Sequence, residues 1–165
     1  MRVRVVGLLL FFAAVPAAVS AQNVEMVFTP GVAEQAVALK AALKVDKANV
    51  TWFGALALVG ASPARKKAYA DAVARNTAVV VLGEDALKAV SEIEFSVPVI
   101  VVNAAGKCAA KGRVIRVFDA ASAAAPAAAT PIESAAVPEA VRSGKDLILK
   151  GDVGPVVQAL LVALK

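Results

Sequence analysis

Two tetrads, Val79-Val80-Val81-Leu82 and Val99-Ile100-Val101-Val102, carry no polar residue at any position. A strand with one face in water alternates apolar and polar side chains, so runs like these belong to strands covered on both faces, as in the middle of a parallel sheet. Three further stretches share the β-branched and aromatic bias: Val24 to Phe28, part of Val50 to Val59, and Arg113 to Phe118. With the tetrads, the first extended to Ala78 and the second to Val97, they make about five strands recurring about every 25 residues. Ala-rich stretches of helical periodicity fill the intervals, the pattern of parallel strands joined by helices.

The helices announce themselves by spacing and caps. Val32 to Val45 sets Ala33, Ala36, Val37, Lys40 and Leu43 at helical spacing, with Lys40 and Lys44 toward solvent. Ser62-Pro63 supplies an N-cap and a proline for the first turn of a helix from Ala64 to Arg75, with Tyr69 and Val73 on one stripe. A third runs from Glu84 to Ser91 or Ile93, with Ala86, Leu87 and Val90 inward and Glu84 and Asp85 at its positive end. Leu147 to Leu149 reads as a short edge strand, followed by a helix that Asp152 can cap and Pro155 suits in the first turn. Val153, Val156, Val157, Leu160, Leu161 and Leu164 form its apolar stripe, which must dock either on the same sheet or on a partner. The expected fold is α/β: a three-layer sandwich around a mostly parallel, Rossmann- or flavodoxin-like sheet.

Outside this pattern stand the two ends of the argument about location. Arg2 and Arg4 precede an apolar run from Val5 to Val15, Pro16 breaks it, and Val19-Ser20-Ala21 offers the small residues of a signal-peptidase site. The run falls short of the about 20 residues that span a bilayer, so residues 1–21 read as a cleaved signal peptide with cleavage after Ala21. The product is expected to be periplasmic or secreted, without a transmembrane segment. Residues 22–119 make the α/β lobe, 120–144 an Ala/Pro-rich connecting segment broken by Pro126, Pro131 and Pro138, and 145–165 the short strand and terminal helix.

Composition narrows the chemistry. Without Arg2 and Arg4, 16 of the 18 basic residues face 13 acidic ones, a net charge of +3 with no basic stripe interleaved with aromatics, so nucleic acid is set aside. Histidine is absent and Cys108 is the single cysteine. That removes the imidazole-activated nucleophiles and the common zinc ligand sets, so no enzyme, no metal and no cofactor is expected. Cys108 is either a loop thiol or, with Lys107 and Lys111 nearby, one of lowered pKa open to mixed disulfides.

Ligands of open parallel sheets sit beyond the carboxyl ends of the strands, at the point where the strand order reverses. For the order 2-1-3-4-5 this brings Thr29-Pro30-Gly31 near Gly83-Glu84-Asp85, with Asn103 next along. Each residue has two readings. Thr29 is a ligand hydrogen-bonding group or a helix cap; Gly31 admits a close ligand or makes a turn; Gly83 likewise. Glu84 and Asp85 disfavour an anion and suit a neutral polar or amine-bearing ligand, or else they stabilise a helix end. Asn103 binds in two directions or turns the chain, Asp119 faces the same edge or caps, and Trp52 and Phe53 belong to the core ahead of any stacking platform.

The stretch Ala78 to Asn103, AVVVLGEDALKAVSEIEFSVPVIVVN, resembles the first lobe of ABC-type solute-binding proteins with a type I periplasmic-binding fold, and the element order from Val24 to Phe118 fits that lobe. The resemblance implies that loops after the first, third and fourth strands meet a small molecule, which carries ligand contact onto Thr29, Gly83, Glu84 and Asn103. Such proteins close two lobes around a ligand, whereas 144 residues after a 21-residue leader hold one lobe and a short tail. The expectation is an exported, non-enzymatic binding or accessory protein for a small polar solute, working with an envelope transporter, receptor or sensor. The rival is an envelope structural or interaction module with no small ligand.

Overall fold

The computed structural model describes residues 22–43 and 49–165, so the signal-peptide reading of residues 1–21 and the solvent position of Lys44 lie outside the described residues. Seven strands form one sheet: β1 (Asn23–Phe28), β2 (Asn49–Gly54), β3 (Ala78–Leu82), β4 (Val99–Val102), β5 (Val114–Asp119), β6 (Thr130–Pro131) and β7 (Leu147–Gly151). Every neighbouring pair is parallel and the order is β2-β1-β3-β4-β5-β7-β6. The first five therefore follow the 2-1-3-4-5 order expected for a doubly wound sheet. Both tetrads are buried throughout, as two-sided coverage demands.

Helices α1 (Ala33–Ala42), α2 (Pro63–Val73), α3 (Glu84–Val90), α4 (Val137–Arg142) and α5 (Val153–Ala163) divide between two apolar clusters. Val80, Ile100 and Val102 join the cluster fed by α1, α4 and α5. Val79, Val81, Val99 and Val101 join the one fed by α2 and α3. Strand alternation explains the split, because successive side chains point to opposite sides. Ser62 caps α2 by accepting from the Arg65 amide at 3.3 Å, ahead of Pro63 in the first turn. Helix α5 buries Val156, Val157, Leu160 and Leu161 against the strands, roughly 1.5–3 kcal/mol for each side chain removed from water. The terminal helix thus docks on its own sheet.

Three expectations need correction. The sheet has seven strands rather than about five, and β7 is internal, because Thr130–Pro131 pairs outside it as β6. Two residues are too short for a hydrophobic signal, and Pro131 lacks the amide that an inner strand must donate, so it is tolerated at the edge. The Ala/Pro-rich segment also enters the core: Val137 and Val141, one helical turn apart on α4, are both buried. In α1, Leu39 takes the inward position with Ala36, while Val37 stands 62% exposed. An apolar residue beside the stripe is not on it.

Candidate functional site

Parallel pairing places the carboxyl ends of all the strands along one edge. Thr29 follows β1, Gly83 and Glu84 follow β3, Asn103 follows β4, Asp119 ends β5 and Asp152 follows β7. Strands β2 and β4 lie on opposite sides of the β1/β3 pair, so the connections part there and leave room between loops.

Most polar groups on this rim are engaged with each other. The Glu84 carboxylate accepts from the amides of Ala105 at 3.0 Å and Gly106 at 3.4 Å, and so ties the start of α3 to the loop after β4. A Cβ at Gly106 would fall 2.4 Å from a Glu84 carboxylate oxygen, so glycine is what permits that approach. From within the sheet, the Arg116 guanidinium donates to the carbonyls of Ala104 at 3.1 Å and Gly106 at 2.6 Å. The loop is held from two sides. Asn103 adopts φ 53°, the left-handed region that asparagine enters more readily than most residues. Its side chain donates to Asp119 Oδ2 at 2.8 Å and accepts from the Asp119 amide at 3.0 Å. The ends of β4 and β5 are locked by that exchange.

Thr29 behaves differently. It is buried at 7% exposure, and its side chain makes no capping hydrogen bond to the turn that follows. It does not cap a helix through its side chain, since a 3-10 turn (Pro30–Val32) intervenes before α1.

The five residues expected to meet a ligand share the edge but divide between hollows. Gly83, Glu84 and Asn103 line a depression of about 530 Å³ with Gln35, Asp119 and Ser122. An adjoining hollow of about 420 Å³ shares Gln35, Asn103 and Asp119, and reaches Asp152 and Pro155 at the start of α5. Leu39, Leu82 and Val102 make it partly apolar. Thr29 and Gly31 line a separate hollow of about 560 Å³ between the turn after β2 and α3. No lysine or arginine lines the first two.

Sequence reasoning did not find Gln35, Ser122 or the Asp152 end of the second hollow, whose membership depends on how α1 and α5 pack. It also passed over Glu25 in the middle of β1, 6% exposed, which accepts from the Tyr69 hydroxyl at 3.1 Å. Burial pushes the Glu25 carboxyl above its ordinary range, against the opposing hydrogen bond, and pushes the Tyr69 hydroxyl up as well. A lone acid inside an apolar strand was the available signal. Trp52 and Phe53 are half-buried and packed, Phe28 edge-on to Trp52 at 5.4 Å and Phe53 against Tyr69 at 4.3 Å. Cys108 is half-buried in a hollow with Lys107 and Arg116.

Among the described residues no group of three or more His, Cys, Asp or Glu side chains is gathered to hold a metal ion, and no helix is long and apolar enough to cross a membrane. Compared with protein-family models, curated proteins and solved structures, the chain matches none.

Proposed function

We propose that this protein is an exported, non-enzymatic binding or accessory component that holds a small polar solute at the carboxyl edge of its sheet. In this reading residues 1–21 direct it to the periplasm or outside the cell, and a transporter, receptor or sensor of the envelope receives the solute. Its frame is a three-layer sandwich of the Rossmann or flavodoxin type, resembling one lobe of a solute-binding protein. The second lobe's part falls to another chain or is dispensed with by a shallow site.

One observation carries the reading. The two adjoining hollows that share Gln35, Asn103 and Asp119 offer amide, hydroxyl and carboxylate groups, with no cation among their lining residues. Such a lining repels anions and favours a neutral polar or amine-bearing solute. Asp152 is the carboxylate best placed to meet an ammonium group. It is exposed, and its side chain makes no capping hydrogen bond at the head of α5. The carboxylates of Glu84 and Asp119 already accept protein hydrogen bonds, which suits positioning more than proton transfer.

The test is thermal denaturation across amines, amino acids, nucleosides and sugars. A ligand at 100 times its Kd stabilises the native state by about 2.7 kcal/mol, a readily measured rise in Tm. Amines are expected to raise Tm, and Asp152→Asn to weaken them by up to about fivefold, the scale of one exposed ion pair. No shift across the panel would reject the reading in favour of an interaction module. That rival draws on Val37 and Val162, exposed at 62% and 53% on the contacting helices α1 and α5.

A further inference from the structure

We propose that Gln22 is a modification site gated by folding: as the first residue of the exported chain it cyclises to pyroglutamate when the start of β1 is released, and the folded protein keeps it as glutamine. This role depends on the removal of residues 1–21 after Ala21, proposed above, which leaves a free α-amine on Gln22. Gln22 stands just ahead of β1 and is 2% exposed. Its backbone carbonyl accepts from the Asn49 amide of β2 at 2.6 Å, and its side-chain Nε2 donates to the Leu161 carbonyl at 3.0 Å. Leu161 lies in the last turn of α5, where a helix leaves carbonyls without amide partners of their own. One side chain thus joins residues 139 apart in sequence. Oε1 of the same amide is buried and has no hydrogen-bond partner among the described residues. Native structures rarely leave such an oxygen unmatched, and here it governs the chemistry.

A glutamine with a free α-amine can react with itself. The neutral amine attacks Cδ, its nitrogen forms the new C–N bond of a lactam ring, the Cδ–Nε2 bond breaks, and a proton from the amine leaves with Nε2 as ammonia. No oxidant or co-reactant is required. Negative charge collects on Oε1 as Cδ becomes tetrahedral, so the step needs a hydrogen-bond donor or water at that oxygen. In the fold that oxygen is buried with no donor. The leaving nitrogen is held as well, because Nε2 must give up its bond to Leu161 before it departs. Cyclisation would then strand the buried Leu161 carbonyl. Both obstacles vanish when Gln22 parts from α5, since water then solvates the oxygen and receives the ammonia. Opening at a chain end costs less than global unfolding, so the modification records release of this corner rather than loss of the fold.

Mass spectrometry of the protein purified from the envelope or medium of the expressing cell tests this, by intact mass and N-terminal peptide mapping. Gln22 should be the first residue, without the mass loss of one ammonia. Incubated at one pH and temperature, the native protein should cyclise at least about tenfold more slowly than the same protein in urea, the scale of one buried hydrogen bond. A synthetic peptide of residues 22–28, run in both solvents, corrects for the effect of urea on the reaction itself. Leu161→Ala and the milder Leu164→Ala loosen the end of α5 and should raise the native rate, with circular dichroism reporting the fold. Equal corrected rates in buffer and urea overturn the proposal while leaving export untouched. Protection that neither variant relieves overturns it too, as does a folded protein found already cyclised. A first residue other than Gln22 overturns it together with the cleavage reading.

Discussion

The two ends of the sheet's carboxyl edge are held together by different materials. Around Asn103 the loops are joined by directional contacts: a φ of 53°, a two-way exchange with Asp119, and a loop gripped by Glu84 and Arg116. Around Thr29 the wall sets Leu56, Leu58 and Val59 beside two ion pairs, Lys66 with Glu92 and Lys88 with Asp85. Hydrogen bonds hold geometry within tenths of an ångström but leave few groups free, so the Asn103 side can offer only what remains, chiefly Gln35 and Asp152. Apolar packing is non-directional, so the Thr29 side is held by shape more than by aimed contacts.

The largest way to break this contrast is Leu58→Ala. Leu58 is 2% exposed and belongs to the cluster packed under α3, so the truncation should cost about 2–5 kcal/mol in chemical denaturation. A loss within about 0.5 kcal/mol would mean the apolar wall is not core. Next comes Asn103→Ala, which removes both bonds to Asp119 and leaves a Cβ at positive φ, for about 1–3 kcal/mol. Asn103→Gly should be milder by about 1 kcal/mol, since glycine adopts that backbone freely. If glycine and alanine were equal, the side-chain lock alone would matter and the turn would not.

The smallest effect sharpens the comparison from the interior. Glu25 titrates above its ordinary value, chiefly through burial, so the protonated form is favoured by the fold. Its contribution is fully present below the unfolded pKa, near 4.5, and is lost as pH rises through the higher folded value. Glu25→Gln keeps an acceptor for Tyr69 and removes that loss. The stability of the variant relative to the parent should therefore climb between pH 4 and pH 7, measured by paired denaturation curves, and a flat difference would refute the burial argument.

Legibility followed the range of the interactions. Ser62-Pro63 marks α2 because a cap and its amide lie three residues apart, and Ala86, Leu87 and Val90 face inward because helical spacing alone sets one stripe. The rim was legible as an edge, and it did bring Thr29, Gly83 and Asn103 to the same end. Its division into separate hollows was not, since Leu56 and Lys88 border Thr29 only after the turn following β2 packs on α3. Glu84 shows the same limit. Its position at a helix start is local, but its grip on Ala105 and Gly106 joins residues 21 and 22 apart.

Residue order by itself determined a parallel sheet of buried strands and the edge where loops gather, because hydrophobic period and chain connectivity act along the chain. The order 2-1-3-4-5 entered only as a condition, which the first five strands meet. Only tertiary structure decided that Thr130–Pro131 becomes an edge strand, that Val137 is core, and which polar groups satisfy each other and which stay free. Those outcomes depend on distances between segments far apart in sequence, where a hydrogen bond is made or lost within a fraction of an ångström.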